Sequence, residues 1–204
     1  NVRDRLVQRA IVRYLLDGDK LSVTNSASYG FHKNRGVHDA VRAAKKARNE
    51  RKYAFKADID SFFNRVHRND LIKQLKRTVR STYILDLIDK AIQCEVIIED
   101  SDTEEKVKKS DLREGEGIRQ GLPLSPVLSN FVLRDFDKKF IEENKTLLRY
   151  ADDFIVFCSD WCEVEEVEKV SEAELSKIGH TLKNSKTQKA RPEESVEFLG
   201  FEID

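Results

Sequence analysis

Apolar and polar positions follow two rhythms along this chain, and each rhythm predicts its own kind of element. Near the start, Val2, Leu6, Ala10, Ile11 and Tyr14 recur at helical spacing, which predicts an amphipathic helix ending near Asp17-Gly18. The stretch 28–36 carries glycines, an aromatic pair and His32, Lys33 and Arg35. A second helix follows, with Val37, Ala40, Val41, Ala44 and Ala47 on one side and basic residues on the other. Residues 53–58 read as a strand, and helices are predicted over 70–76 and 84–92. Across 95–109 apolar and charged residues alternate around Asp100-Ser101-Asp102, a hairpin signal. Pro123 opens another helix, whose Leu124, Val127, Leu128, Phe131, Val132 and Phe136 face a core. Two short apolar runs, 146–150 and 154–158, then flank adjacent carboxylates and predict a hairpin. An acidic amphipathic helix over 161–178 ends at Gly179, and strand-like pieces lie at 180–183, 187–190 and 196–203. Helices interleaved with tight hairpins predict an α+β fold with an antiparallel sheet packed on helices.

Composition narrows the class. With 204 residues the chain suits one domain, or one domain and part of a second. Charged residues make up 36% and hydrophobic ones 39%, without an apolar run near the roughly 18 residues of a membrane helix, so a soluble protein is expected. Cys94, Cys158 and Cys162 lack metal-ligand spacing, which fits buried or incidental thiols in a reducing, cytoplasmic setting. Methionine is absent, even at position 1, so the chain reads as a piece of something longer.

The net charge of zero conceals a polarity. Residues 1–80 hold 20 Lys+Arg against 8 Asp+Glu, and the remainder holds 17 against 29. A basic first part suits phosphates, although solvated helix faces give the same count. The six glutamates over 163–174 read as one such solvated face.

Candidate chemistry concentrates at two strand ends. Asp152 and Asp153 sit at the tip of the 146–158 hairpin, where like charges repel and a divalent cation would remove the cost. The strand 53–58 leads into Asp58 and Asp60, two apart and so on one face while the strand persists. Three carboxylates from two strand ends are what a two-metal site requires, and magnesium suits such oxygen ligands. Singly, an Asp-Asp turn is equally an ordinary solvated turn, and Asp58 an ordinary cap. A third feature, Gly117-Ile118-Arg119-Gln120-Gly121-Leu122-Pro123-Leu124-Ser125-Pro126, joins a loop to a helix. Gly121 permits close backbone approach and Arg119 and Gln120 offer donors, so the loop suits a base or a phosphate, or is simply a helix start.

In order, these motifs resemble the reverse transcriptases, and among them the bacterial group II intron-like lineage. Asp58 with Phe62 and Phe63, Arg119-Gln120-Gly121 with Ser125-Pro126, Tyr150-Ala151-Asp152-Asp153, and Gly179 through Lys186-Thr187 look like four successive palm motifs, and Phe198-Leu199-Gly200-Phe201 looks like the hairpin that holds the primer end. Residues 2–8, and 28–31 through Arg35 and His38, look like finger segments. The resemblance implies a polymerase palm over 53–66 and 116–204, partial helical fingers over 1–52, and an insertion of helices and a hairpin over 67–115.

By the same resemblance, Asp58, Asp152, Asp153 and the Ile59 carbonyl would hold two Mg2+ ions, with Mn2+ as an alternative. Phe63 would exclude a ribose 2′-hydroxyl, Arg119, Gln120 and Gly121 would line the nucleotide pocket, and Lys186 would protonate the leaving pyrophosphate. The implied activity is RNA-directed DNA polymerisation, with an RNA template, a DNA or RNA primer and dNTPs as partners and no membrane. A nucleic-acid-binding scaffold without catalysis and an RNA-templated RNA polymerase are the alternatives. The family's first finger hairpin would precede Asn1 and its thumb would follow Asp204. Without them the chain by itself is expected to be weakly active or inactive. The wording of 119–126 and 133–137 leans toward CRISPR-associated or phage-defence branches.

Overall fold

The computed structural model describes residues 2–93 and 115–204. In chain order its elements are helices α1 (Val2–Leu16) and α2 (Val37–Glu50), strand β1 (Tyr53–Asp58), and helices α3 (Phe62–Arg65), α4 (Arg68–Thr78) and α5 (Thr82–Gln93). Then come α6 (Ser125–Val132), α7 (Arg134–Glu142), the hairpin β2 (Thr146–Tyr150) and β3 (Asp153–Cys158), α8 (Trp161–Lys177), a 3-10 turn (Asn184–Lys186), and the short strands β4 (Gln188–Ala190), β5 (Val196–Phe198) and β6 (Phe201–Ile203). Two compact units result: Asn1–Ser22 with Ser61–Leu128, and Val23–Asp60 with Ser129–Asp204.

The first unit is helical. Ile11 and Leu15 of α1, Leu71 and Leu75 of α4, and Ile88 and Ile92 of α5 are all buried. Buried Arg68 donates Nε–H to the Gly117 carbonyl at 2.8 Å, while the Gly117 and Ile118 amides donate to the carbonyls of Val66 and Phe63, each at 2.8 Å. These bonds fasten the segment entering the 117–126 loop to the chain around α3.

The second unit is built on an antiparallel sheet in the order β2-β3-β1-β4. Both of its faces are covered, so β1 is buried at five of six positions instead of alternating. On one face, Ala40, Ala44 and Ala47 let α2 approach closely and, with Val41, pack on Ala54, Leu148, Ile155, Phe157 and Ala190. On the other, Phe154 meets Phe55 and Phe136 with ring centroids 6.2 and 5.2 Å apart. Truncating a fully buried phenylalanine such as Phe154 to alanine costs about 3–5 kcal/mol.

Two sequence expectations change and a third is refined. The helix predicted from Pro123 through Phe136 begins at Ser125 and is interrupted at Leu133, whose φ −88 and ψ 2 leave the helical region. Residues 180–183 do not form a strand: only Leu182 bridges, to Ile59, while the Lys183 amide donates to the Asp58 carbonyl at 2.8 Å. The run 196–203 is a hairpin turning at Phe198-Leu199-Gly200-Phe201, as the resemblance implies, because Leu199 (φ 56) and Gly200 (φ 79) both adopt the left-handed conformation of a two-residue turn. The hairpin predicted over 95–109 lies outside the described residues, as does Cys94. No described helix is long and apolar enough to cross a membrane.

Candidate active site

Sheet register brings the two acidic strand ends together. Asp58 lies directly opposite Asp153 in the β1–β3 pair, and the Ile59 amide donates to the Asp152 carbonyl at 3.0 Å. Directly opposed residues in an antiparallel pair project to one face with Cβ atoms about 5 Å apart. That face is the one α2 covers, and along β1 it changes character. Ala54 packs into the α2 core, Lys56 and Asp58 follow it at two-residue spacing, and Asp153 stands opposite Asp58. The apolar cover thus gives way to charge at the end of the sheet.

Lysines neutralise the carboxylates. Lys186, at the end of the 3-10 turn, donates from Nζ to Asp58 Oδ2 at 2.7 Å, and Lys56 Nζ stands 3.1 Å from Asp153 Oδ1. The Lys186 side chain is 52% exposed, that of Lys56 only 10%. Although within ion-pair distance of Lys56, Asp153 Oδ1 is buried without a hydrogen bond. Burial pushes the Asp153 carboxyl up to about 6; the Lys56 ammonium opposes this, and the Asp58 and Asp152 charges add to it. Asp152 is also raised, chiefly by burial and secondarily by Asp58. Lys186 is raised by its hydrogen bond to Asp58, which favours the ammonium.

The three aspartates are therefore electrostatically coupled at one sheet end. Among the described residues no group of three or more His, Cys, Asp or Glu is arranged to hold a metal ion, and lysines pair with Asp58 and Asp153. The donor set nevertheless fits a divalent cation: it is all carboxylate oxygen, it carries a buried oxygen without a hydrogen bond, and burial, with the neighbouring Asp58 charge adding to it, penalises ionisation of Asp152 and Asp153. Asp60 extends past the strand, its amide donating to the Thr181 carbonyl at 2.9 Å.

The nucleotide-pocket candidates belong to the first unit. Phe63 packs edge-on against Phe62, centroids 5.4 Å apart, and its carbonyl takes the Ile118 amide, so Phe63 adjoins the 118–121 loop. The Arg119 carbonyl accepts from Ser125 Oγ, Gln120 is exposed, and Gly121 takes a positive φ of 80. Sequence reasoning missed a second group, the buried Arg149, Asp137 and Asn130 behind the acidic turn. Its signals were present: Arg149 alternates with apolar residues on β2, and Asp137 sits in the apolar stripe of α7 with Leu133, Phe136 and Phe140.

Comparison with known proteins gives the family and the fold. The profile of the reverse transcriptases (RNA-dependent DNA polymerase) matches residues 1–203, and the chain belongs to that family. Protein YkfC of Escherichia coli (strain K12) is 30% identical over 146 residues, 67% of this chain and 35% of that protein. An uncharacterized 91 kDa protein in a cob intron of Schizosaccharomyces pombe is 30% identical over 148 residues, 72% of this chain and 17% of that protein. This chain thus spans about a third or less of both relatives. Apo telomerase from Candida tropicalis shares the fold over the whole chain and 38% of its own, with a TM-score of 0.64 at 19% identity.

Proposed function

We propose that this chain is the fingers–palm part of an RNA-directed DNA polymerase, and that Asp58, Asp152 and Asp153, with the Ile59 carbonyl, hold two Mg2+ ions. The observation that carries the reading is the pairing of Asp58 with Asp153 where the sheet loses its apolar cover. A scaffold that only binds nucleic acid has no use for carboxylates whose ionisation is penalised by burial. When bound, the ions would supply charge to activate a primer 3′-hydroxyl and to stabilise the leaving oxygen.

The residues do the rest by positioning. Asp58 and Asp153 present oxygens from adjacent strands, so their separation is fixed by the sheet and costs little reorganisation. Lys186, kept as an ammonium by Asp58, carries a proton within reach of that carboxylate and serves as the donor to pyrophosphate. Phe63 gates the sugar and Gln120, with Arg119 and Gly121, lines the nucleotide pocket. In this reading 53–66 and 116–204 are palm, 1–52 partial fingers, and the insertion 67–115 lies between palm motifs.

Primer extension on an RNA template by the full-length protein, with Mg2+ and dNTPs, tests the reading. Wild type should incorporate deoxynucleotides and Asp152→Ala should fall to background; equal incorporation by both would refute the assignment. Phe63→Ala should admit ribonucleotides, and unchanged sugar selection would remove Phe63 from the gate.

A further inference from the structure

We propose that Arg149 is a positioning residue that sets the backbone of the acidic turn from behind the sheet. It lies on β2 one residue before Tyr150, and strand alternation points it away from the Asp58–Asp153 face. Its side chain is fully buried and all three guanidinium nitrogens are engaged. Nε and one Nη form a fork on Asp137 at 2.6 and 2.5 Å, and that same Nη reaches Ser28 Oγ at 3.1 Å. The remaining Nη donates to the Ala151 carbonyl at 2.9 Å and to Asn130 Oδ1 at 3.1 Å.

Ala151 is the residue that most needs such a hold. Its φ of 58 is left-handed, a conformation that costs a residue with a Cβ about 1–2 kcal/mol, and it immediately precedes Asp152. A second contact holds the turn as well. A Cβ on Gly30 would stand 2.6 Å from the Ala151 amide nitrogen, so the two backbones touch. The Gly30 carbonyl in turn accepts from Asn130 Nδ2 at 2.9 Å, and Asn130 is the residue whose Oδ1 binds Arg149. Guanidinium, amide and glycine thus close a ring around Ala151.

Stability alone does not explain this construction, because a well-packed apolar pair fills a buried site at least as favourably as an ion pair. A fork whose remaining donor is aimed at one carbonyl of the turn fixes direction instead. Asp137 orients Arg149, Arg149 orients Ala151, and the carboxylates that follow inherit that geometry.

The inference rests on the proposed polymerase activity, and the experiment separates the two. In the full-length protein, Arg149→Lys keeps the charge and removes the fork, Asn130→Ala opens the ring while leaving the ion pair, and Phe140→Leu perturbs the core beside α7 without touching the turn. Each is assayed well below its own melting temperature for single-nucleotide incorporation and for amide hydrogen exchange over 150–153. We expect Arg149→Lys and Asn130→Ala to lose roughly 10–100-fold in kcat with the dNTP KM held within about twofold, as for other groups that orient ligands from behind. Exchange over 150–153 should accelerate in both. Phe140→Leu should keep kcat within about twofold of wild type even where its melting temperature falls as far. If exchange at the turn is unchanged in Arg149→Lys and Asn130→Ala, or if their kcat tracks melting temperature as that of Phe140→Leu does, Arg149 is structural only and the inference fails. If wild type shows no Asp152-dependent incorporation, the polymerase reading fails, and the exchange measurement still decides the positioning role.

Discussion

Charge is handled in opposite ways on the two faces of the central sheet. On the α2 face, Asp58 and Asp153 are paired by single lysines on long flexible stems, one of them 52% exposed. On the far face, Arg149 and Asp137 are fully buried and joined by a two-pronged contact, with Asn25 Nδ2 donating to Asp137 at 2.9 Å as well. An ammonium on four methylenes is a point charge that can swing away when another cation arrives, whereas a planar fork with every donor committed cannot. In the proposed reading the lysine pairs give way to cations, and the arginine pair stays.

Breaking the permanent pair should have the largest effect. Asp137→Ala leaves a buried guanidinium without its partner and should cost about 3–5 kcal/mol in urea unfolding. Asp153→Asn should act in the opposite sense. Its carboxyl, raised from 3.8 to about 6, binds a proton more tightly folded than unfolded, so this residue lowers stability as pH rises through that window. In metal-free buffer the wild type should therefore lose about 2 kcal/mol between pH 4 and 6 through this group, and Asp153→Asn should flatten that slope. Gly30→Ala, which drives a Cβ into the Ala151 backbone, should cost about 1–3 kcal/mol and depress incorporation further than that loss of stability explains. Lys186→Ala, on the exchangeable side, should change unfolding free energy by less than about 1 kcal/mol, since its side chain is half in water.

The two faces also differed in how far they could be read from sequence. Asp58 and the Asp152-Asp153 turn were legible because carboxylates at strand ends interrupt strong apolar patterns, and the amphipathic α2 was legible from its alanine spacing. That Lys56 and Lys186 would occupy those carboxylates was not, because pairing across 128 residues depends on where the 3-10 turn falls. Arg149 and Asp137 were marked only by their places in the apolar stripes of β2 and α7, and that the two bury against each other is a tertiary fact neither element reveals alone. The 180–183 segment misled for a related reason: it lies along the end of β1 through isolated bonds, without extending the ladder.

The central claim is that the exchangeable pairs stand where cations belong. Diffraction from crystals of the full-length protein with primer, RNA template, dNTP and Mn2+, recorded at the manganese edge, tests it most directly. The account predicts two anomalous peaks roughly 3.5–4 Å apart among Asp58, Asp152 and Asp153, with Lys186 and Lys56 displaced from the carboxylates they now pair. Manganese bound elsewhere, with both lysine pairs intact beside an ordered primer end, would contradict it.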